Sequence, residues 1–149
     1  MDRIRTTGRE EIGAAYMIKL KAHIVSRGKA EGEALVTSQP ISFLGSIDTK
    51  TGIVIEKGHE LAGKSIKGKV LVFPGGKGST VGSYAIYQLK KNGAAPCAMI
   101  NVKAEPIVAV GAIISDIPLV DRVEKNPVTT IRTGDKVLVN AIVGNVEII

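Results

Sequence analysis

At 149 residues the chain has room for one domain, and 44% hydrophobic against 23% charged residues excludes wholesale disorder. A single cysteine, Cys97, excludes an internal disulfide and any zinc or cluster site built by this chain alone. The net charge of +6 suits an anionic partner, but Tyr16, Phe43, Phe73, Tyr84 and Tyr87 are too few and too scattered to form the stacking groove of a nucleic-acid binder. Seventeen glycines predict many tight turns around a core of Val, Ile, Leu and Ala.

Residues 1–16 carry charges of both signs and read as a polar, flexible extension, with one ordered domain over 17–149. They contain no hydrophobic signal core, and the longest apolar run, Ile107–Ile114, falls far short of the ~20 residues that span a bilayer. A cytoplasmic protein without membrane contact is the expectation. From Met17 to Val25 apolar and polar residues alternate, which predicts a half-buried strand. A hairpin-like turn follows over 26–32, and Ala34–Thr37 resumes the extended pattern. Residues 39–52 read mostly as loop, with Asp48 suited to a turn. Ile53–Ile55 and Lys69–Phe73 are strands, the second apolar enough to lie in the centre of a sheet.

Ser79 to Asn92 is the clearest helix, with Ser79 at the N-cap, Gly93 at C′ and Lys90 and Lys91 in the last turn. Val81, Tyr84, Ala85, Gln88 and Leu89 recur at helical spacing and predict the face turned to the sheet. Strands are expected at Ala98–Val102, Ile107–Val110, Ile113–Leu119, Val137–Val139 and within Ala141–Ile149, with a turn at Gly134–Lys136. The reading is a strand-rich α/β domain.

Chemistry concentrates in Val72-Phe-Pro-Gly-Gly-Lys-Gly-Ser-Thr-Val-Gly-Ser83, where a buried strand breaks into a glycine loop that opens a helix. The lysine precedes the last loop glycine, so this is not a Walker loop. Val81 replaces the third glycine of a dinucleotide fingerprint, and Gly-x-Ser-x-Gly is absent at Ser79. A serine at a helix N-terminus meets unpartnered N–H groups and the positive end of the helix dipole, which stabilise an anion or an alkoxide. Ser79 is therefore the candidate for chemistry, with a plain cap as the alternative. Gly76 and Gly78 let a substrate approach the backbone, Lys77 supplies positive charge, and Thr80 is near enough to touch substrate.

Other marked residues read as structural. Cys97 suits a small buried hydrophobe, and His23 and His59 lack companions at metal-ligand spacing, so no metal site is expected. Lys64, Lys67 and Lys69 form a solvated rim, and Glu105, Pro106 and Asp116 are turn residues. Residues 42–45 either line a cleft or pack Phe43 into the core.

Gly28–Val36, Ile41–Gly45 with Asp48 and Gly52, His59–Ser65, Val72–Ser83 and Gly111–Pro118 together resemble the small subunit of the aconitase X group, in its archaeal phosphomevalonate dehydratase branch. The resemblance runs from about Met17 to the C-terminus. It implies a swivelling β/β/α domain like the mobile fourth domain of aconitases, docked on a large subunit that holds a [4Fe–4S] iron–sulfur cluster through cysteines. It implies dehydration of (R)-5-phosphomevalonate to trans-anhydromevalonate 5-phosphate in a modified mevalonate route to isoprenoids, with Ser79 as proton acceptor. The alternatives are the small portion of a cis-3-hydroxy-L-proline dehydratase and a non-catalytic basic binding module.

Overall fold

The computed structural model describes residues 9–12, 15–77 and 81–149. Nine strands form one hydrogen-bonded series in the order β1-β2-β9-β8-β4-β5-β6-β7-β3. The strands are β1 (Arg9–Ile12), β2 (Ala15–Lys21), β3 (His23–Ser26), β4 (Lys29–Val36), β5 (Val70–Phe73), β6 (Ala98–Asn101), β7 (Leu119–Asp121), β8 (Lys136–Asn140) and β9 (Asn145–Ile148). The helices are α1 (Phe43–Ser46), a single kinked turn, α2 (Gly82–Lys91), α3 (Pro106–Ile114) and α4 (Pro127–Thr130).

The series folds into two layers because β4 belongs to both. Its first half, Lys29–Glu33, pairs antiparallel with β8, while Ala34–Val36 pairs parallel with β5. The antiparallel layer is β1-β2-β9-β8-β4, and the largely parallel layer is β4-β5-β6-β7 with β3 antiparallel at its edge.

Alternation along the parallel strands sorts the core. Val70, Val72, Ala98, Ile100 and Val120 face the antiparallel layer and meet Ile18, Leu20, Val137, Val139, Val146 and Ile148. Leu71, Phe73, Met99 and Leu119 face the other way, against Ala85, Ile86 and Leu89 of α2 and Val108 and Ala112 of α3. The result is a β/β/α stack whose central sheet is covered on both sides, as parallel sheets require. A Cβ at Gly111 would lie 2.6 Å from Ile86 Cδ1, so the glycine sets how closely α3 approaches α2.

Several expected elements differ. The strand expected over 17–25 breaks at Ala22, whose N–H donates to Gly144 O at 3.0 Å, and its two halves join different layers. No hairpin joins β3 to β4. These neighbours in sequence lie in different parts of the series, and β4 runs straight through Gly32, where a side chain would meet Cys97 Sγ at 2.9 Å. Residues 9–12, inside the stretch read as an extension, form β1 because the edge of β2 offers backbone partners that no hydrophobic pattern announces. Ile53 and Val54 make isolated bridges only.

The strands expected at Ile107–Val110 and from Ile113 are instead the helix α3, followed by β7 at Leu119. The Glu105 carboxylate accepts from Ile107 N and Val108 N at 3.0 and 2.8 Å, and Pro106 stands in the first turn. That cap and proline overcome the β-branched run. Helix α2 begins at Gly82 with Val81 in the cap position, so the expected N-cap at Ser79 gives way to an apolar residue with no acceptor to offer. Its C-terminus is as expected, with Gly93 at φ +70°. Its buried face is Gly82, Ala85, Ile86 and Leu89, leaving Val81 and Tyr84 exposed.

Among the described residues the aliphatic core contains one aromatic contact, Phe43 edge-on to Phe73 at 5.8 Å. Phe43 is buried and Leu44 exposed, which decides residues 42–45 in favour of core packing for the ring. Among the described residues no helix is long and apolar enough to cross a membrane.

Candidate functional site

The connections that leave β4, β5 and β6 meet at the carboxyl ends of the parallel strands, where open α/β sheets place ligands. After β5, Pro74 O accepts from Val102 N and Lys103 N at 3.1 and 3.3 Å, tying this loop to the one that follows β6. After β4, Ile41 N donates to Gly75 O at 3.2 Å and Lys77 N donates to Ile41 O at 3.0 Å. The backbone of Gly75–Lys77 is thus gripped from both sides.

Gly76 has no room for a side chain. A Cβ there would fall 2.6 Å from both Glu105 Oε1 and Val108 Cγ2. The glycine loop rests on the N-terminus of α3, whose first N–H groups the Glu105 carboxylate already occupies. An anion gains little at that helix end. The neighbouring α2 has no acidic residue in its first turn and no side-chain cap from Val81. Among the described residues, then, no carboxylate stands at the positive end of its dipole.

Lys77, half exposed, places Nζ 3.4 Å from Glu56 Oε2. The other oxygen, Glu56 Oε1, accepts from Ser46 Oγ at 2.6 Å. The Ser46 hydroxyl and, after it, the Lys77 charge hold the Glu56 carboxyl below its ordinary value. Beside it, Glu60 accepts from the Thr37 hydroxyl and the Ser38 N–H, and these bonds lower its carboxyl too. Asn101, fully buried beneath the loop, donates from Nδ2 to Phe73 O at 3.1 Å, and among the described residues its Oδ1 has no partner.

The residues singled out by sequence divide cleanly. Gly76 and Lys77 stand at the junction of three loops, whereas Gly78, Ser79 and Thr80 lie outside the described residues. His59 is buried and structural: its Nδ1 accepts from Leu61 N at 3.1 Å and Nε2 faces Pro40 O at 3.2 Å. His23 is exposed and pairs with the buried carboxylate of Asp121 at 2.8 Å, and the second oxygen of Asp121 accepts from Ala104 N at 2.9 Å. Cys97 is only partly buried, and that burial pushes its thiol up. Lys69 pairs with Glu33 at 2.7 Å on the rim.

The family description "Aconitase X swivel domain" matches residues 19–148, nearly the whole described fold. This chain belongs to the aconitase X swivel-domain family. It is 68% identical, over 89% of its length and 92% of the relative's, to a protein of Methanosarcina acetivorans named phosphomevalonate dehydratase small subunit. An Archaeoglobus fulgidus protein of the same name is 54% identical over 89% of this chain and 99% of its own. The crystal structure of Thermococcus kodakaraensis aconitase X in its holo-form superposes with a TM-score of 0.84 at 57% identity, covering 88% of this chain and 98% of the other.

Around these loops of the swivel domain, Glu56, Glu60 and Asn101 are residues that sequence reading missed, and Glu105 is one that it took as a turn residue. Glu105 alone carried a local signal, a carboxylate directly before proline at a helix start. Glu56 reaches Lys77 from 21 positions away, Asn101 bonds Phe73 at the end of β5, and Glu60 bonds Thr37 and Ser38 after β4. Among the described residues no group of three or more His, Cys, Asp or Glu is placed to hold a metal ion. The iron–sulfur cluster implied by the family resemblance belongs there to a large subunit and not to these side chains.

Proposed function

We propose that this chain is the small subunit of a two-subunit hydro-lyase that dehydrates (R)-5-phosphomevalonate to trans-anhydromevalonate 5-phosphate, a step toward isoprenoids. The observation that carries the reading is Gly75-Gly76-Lys77 after the carboxyl end of β5, continued in sequence by Gly78-Ser79-Thr80, in a chain 68% identical to a named phosphomevalonate dehydratase small subunit. The names of the relatives favour this reading over a cis-3-hydroxy-L-proline dehydratase and over a non-catalytic basic module.

Dehydration next to a carboxylate needs a base for the α-proton and a route for the hydroxyl to leave. In this proposal Ser79 takes the proton. Serine is a poor base at its free pKa, and the open end of α2, which follows in the chain, lowers the energy of the alkoxide. Lys77 meets the substrate's carboxylate or phosphate. Gly76 and Gly78 let it come close to the backbone, and Thr80 touches it. In this reading the large subunit would hold the [4Fe–4S] cluster, which would supply the Lewis acid for the departing hydroxyl.

The test is co-purification with that large subunit under anaerobic conditions, followed by assays on both candidate substrates. The pair turns over (R)-5-phosphomevalonate and this chain alone is silent. Turnover by this chain alone in metal-free buffer, or by the pair only on cis-3-hydroxy-L-proline, would overturn the proposal. Lys77→Ala impairs the reaction more than Lys64→Ala on the rim, whereas equal effects would reduce Lys77 to general surface charge.

A further inference from the structure

We infer that Glu56 is a positioning residue for the reaction: it holds the Lys77 ammonium over the glycine loop in the orientation that receives the substrate's anionic group. The inference rests on the reading of Lys77 given above and adds what aims it.

A lysine on a surface loop explores many rotamers, and its four-carbon stem loses side-chain entropy when fixed. Here the fixing is arranged in series. The Lys77 backbone is pinned by its N–H to Ile41 O at 3.0 Å, and its side chain reaches Glu56 Oε2 at 3.4 Å. The Glu56 carboxylate is in turn steadied by the hydroxyl of Ser46, a residue only 7% exposed, at 2.6 Å. The strand-like contact behind them, Ile55 N to Ser46 O at 2.8 Å, ties the two supports together. A chain of contacts therefore runs from the buried interior through Ser46 and Glu56 to an ammonium at the mouth of the site.

The ion pair is exposed on both sides, with side-chain exposures of 49% and 32%, so it adds little to folding. The carboxylate also leaves the ammonium partly uncovered, since 3.4 Å is longer than a charge-assisted contact prefers. The lysine is aimed without being consumed. The other titratable neighbour of Glu56, His59, has its ring nitrogens engaged with Leu61 N and Pro40 O and not with the carboxylate.

A double-mutant cycle in the assembled two-subunit enzyme tests this, with (R)-5-phosphomevalonate as substrate. Glu56→Gln keeps the acceptor for Ser46 and removes the charge. In the wild-type background it raises KM about two- to fivefold, the range an exposed ion pair spans, with kcat unchanged. In the Lys77→Ala background, whose own KM is already raised, the same substitution changes nothing. Equal rises in both backgrounds, or a KM that falls because the carboxylate merely repels the substrate, would overturn the role of Glu56 while leaving Lys77 in place. A Lys77→Ala enzyme with wild-type KM and kcat would overturn both.

Discussion

Two helices start at the same end of the central sheet, and they start differently. Helix α3 is closed: Glu105 places both carboxylate oxygens on the first N–H groups, Pro106 follows, and Gly76 packs against the cap. Helix α2 begins with Val81, which has no acceptor, and its first turn holds no acid. The first arrangement satisfies the helix with a carboxylate of the chain, whereas among the described residues the second has no carboxylate at its positive end. A carboxylate that caps one helix also repels an anion from it, so in the proposed function the substrate's negative charge goes to Lys77 and not to α3.

The comparison breaks most visibly where the two helices touch. Gly111→Ala puts a methyl group 2.6 Å from Ile86 Cδ1 and 3.1 Å from the Ser83 backbone, and it should destabilise the fold by about 1–3 kcal/mol, the cost of overpacking a core. Chemical denaturation measures this, and an unchanged midpoint would mean that α3 is free to shift away from α2. Glu105→Ala removes the cap of the closed helix at about 0.5–2 kcal/mol, while turnover in the assembled enzyme stays close to wild type. A large loss of rate at unchanged stability would contradict the division between a structural and a functional helix end.

The smallest effect sharpens the electrostatics of the loop after β4. Glu60 is held below its ordinary value first by the Thr37 hydroxyl and then by the Ser38 N–H. A carboxyl with a depressed folded-state pKa contributes stability that is fully present above its unfolded value of 4.5 and is lost as the pH falls through the folded value. Thermal melts should therefore show a wild-type advantage over Glu60→Gln at pH 7 that shrinks below about pH 4.5. An advantage that is constant down to pH 3 would assign the effect to shape rather than charge.

What the sequence made legible was local. The apolar run Val70–Phe73 announced a central strand, and the glycines after it announced a tight loop, in which Gly76 has no room for a side chain. Helix α3 was misread because Ile107-Val-Ala-Val110 has the composition of a strand, and the decisive signal lay in the two residues before it. The two halves of the 17–25 run look continuous in sequence, yet they separate because their partners, β9 and β7, lie more than ninety residues further along the chain. Likewise nothing near Lys77 pointed to Glu56, which is 21 positions away and meets it only through the folded loops.

The central claim is that the loop before the open end of α2 supplies the base, and Ser79→Ala in the assembled enzyme tests it most directly. Removal of a general base should lower kcat by about 10²–10⁴-fold, with the melting temperature and the association with the large subunit retained. A Ser79→Ala enzyme that is folded, assembled and near wild-type in rate would contradict the account and move the base to the large subunit.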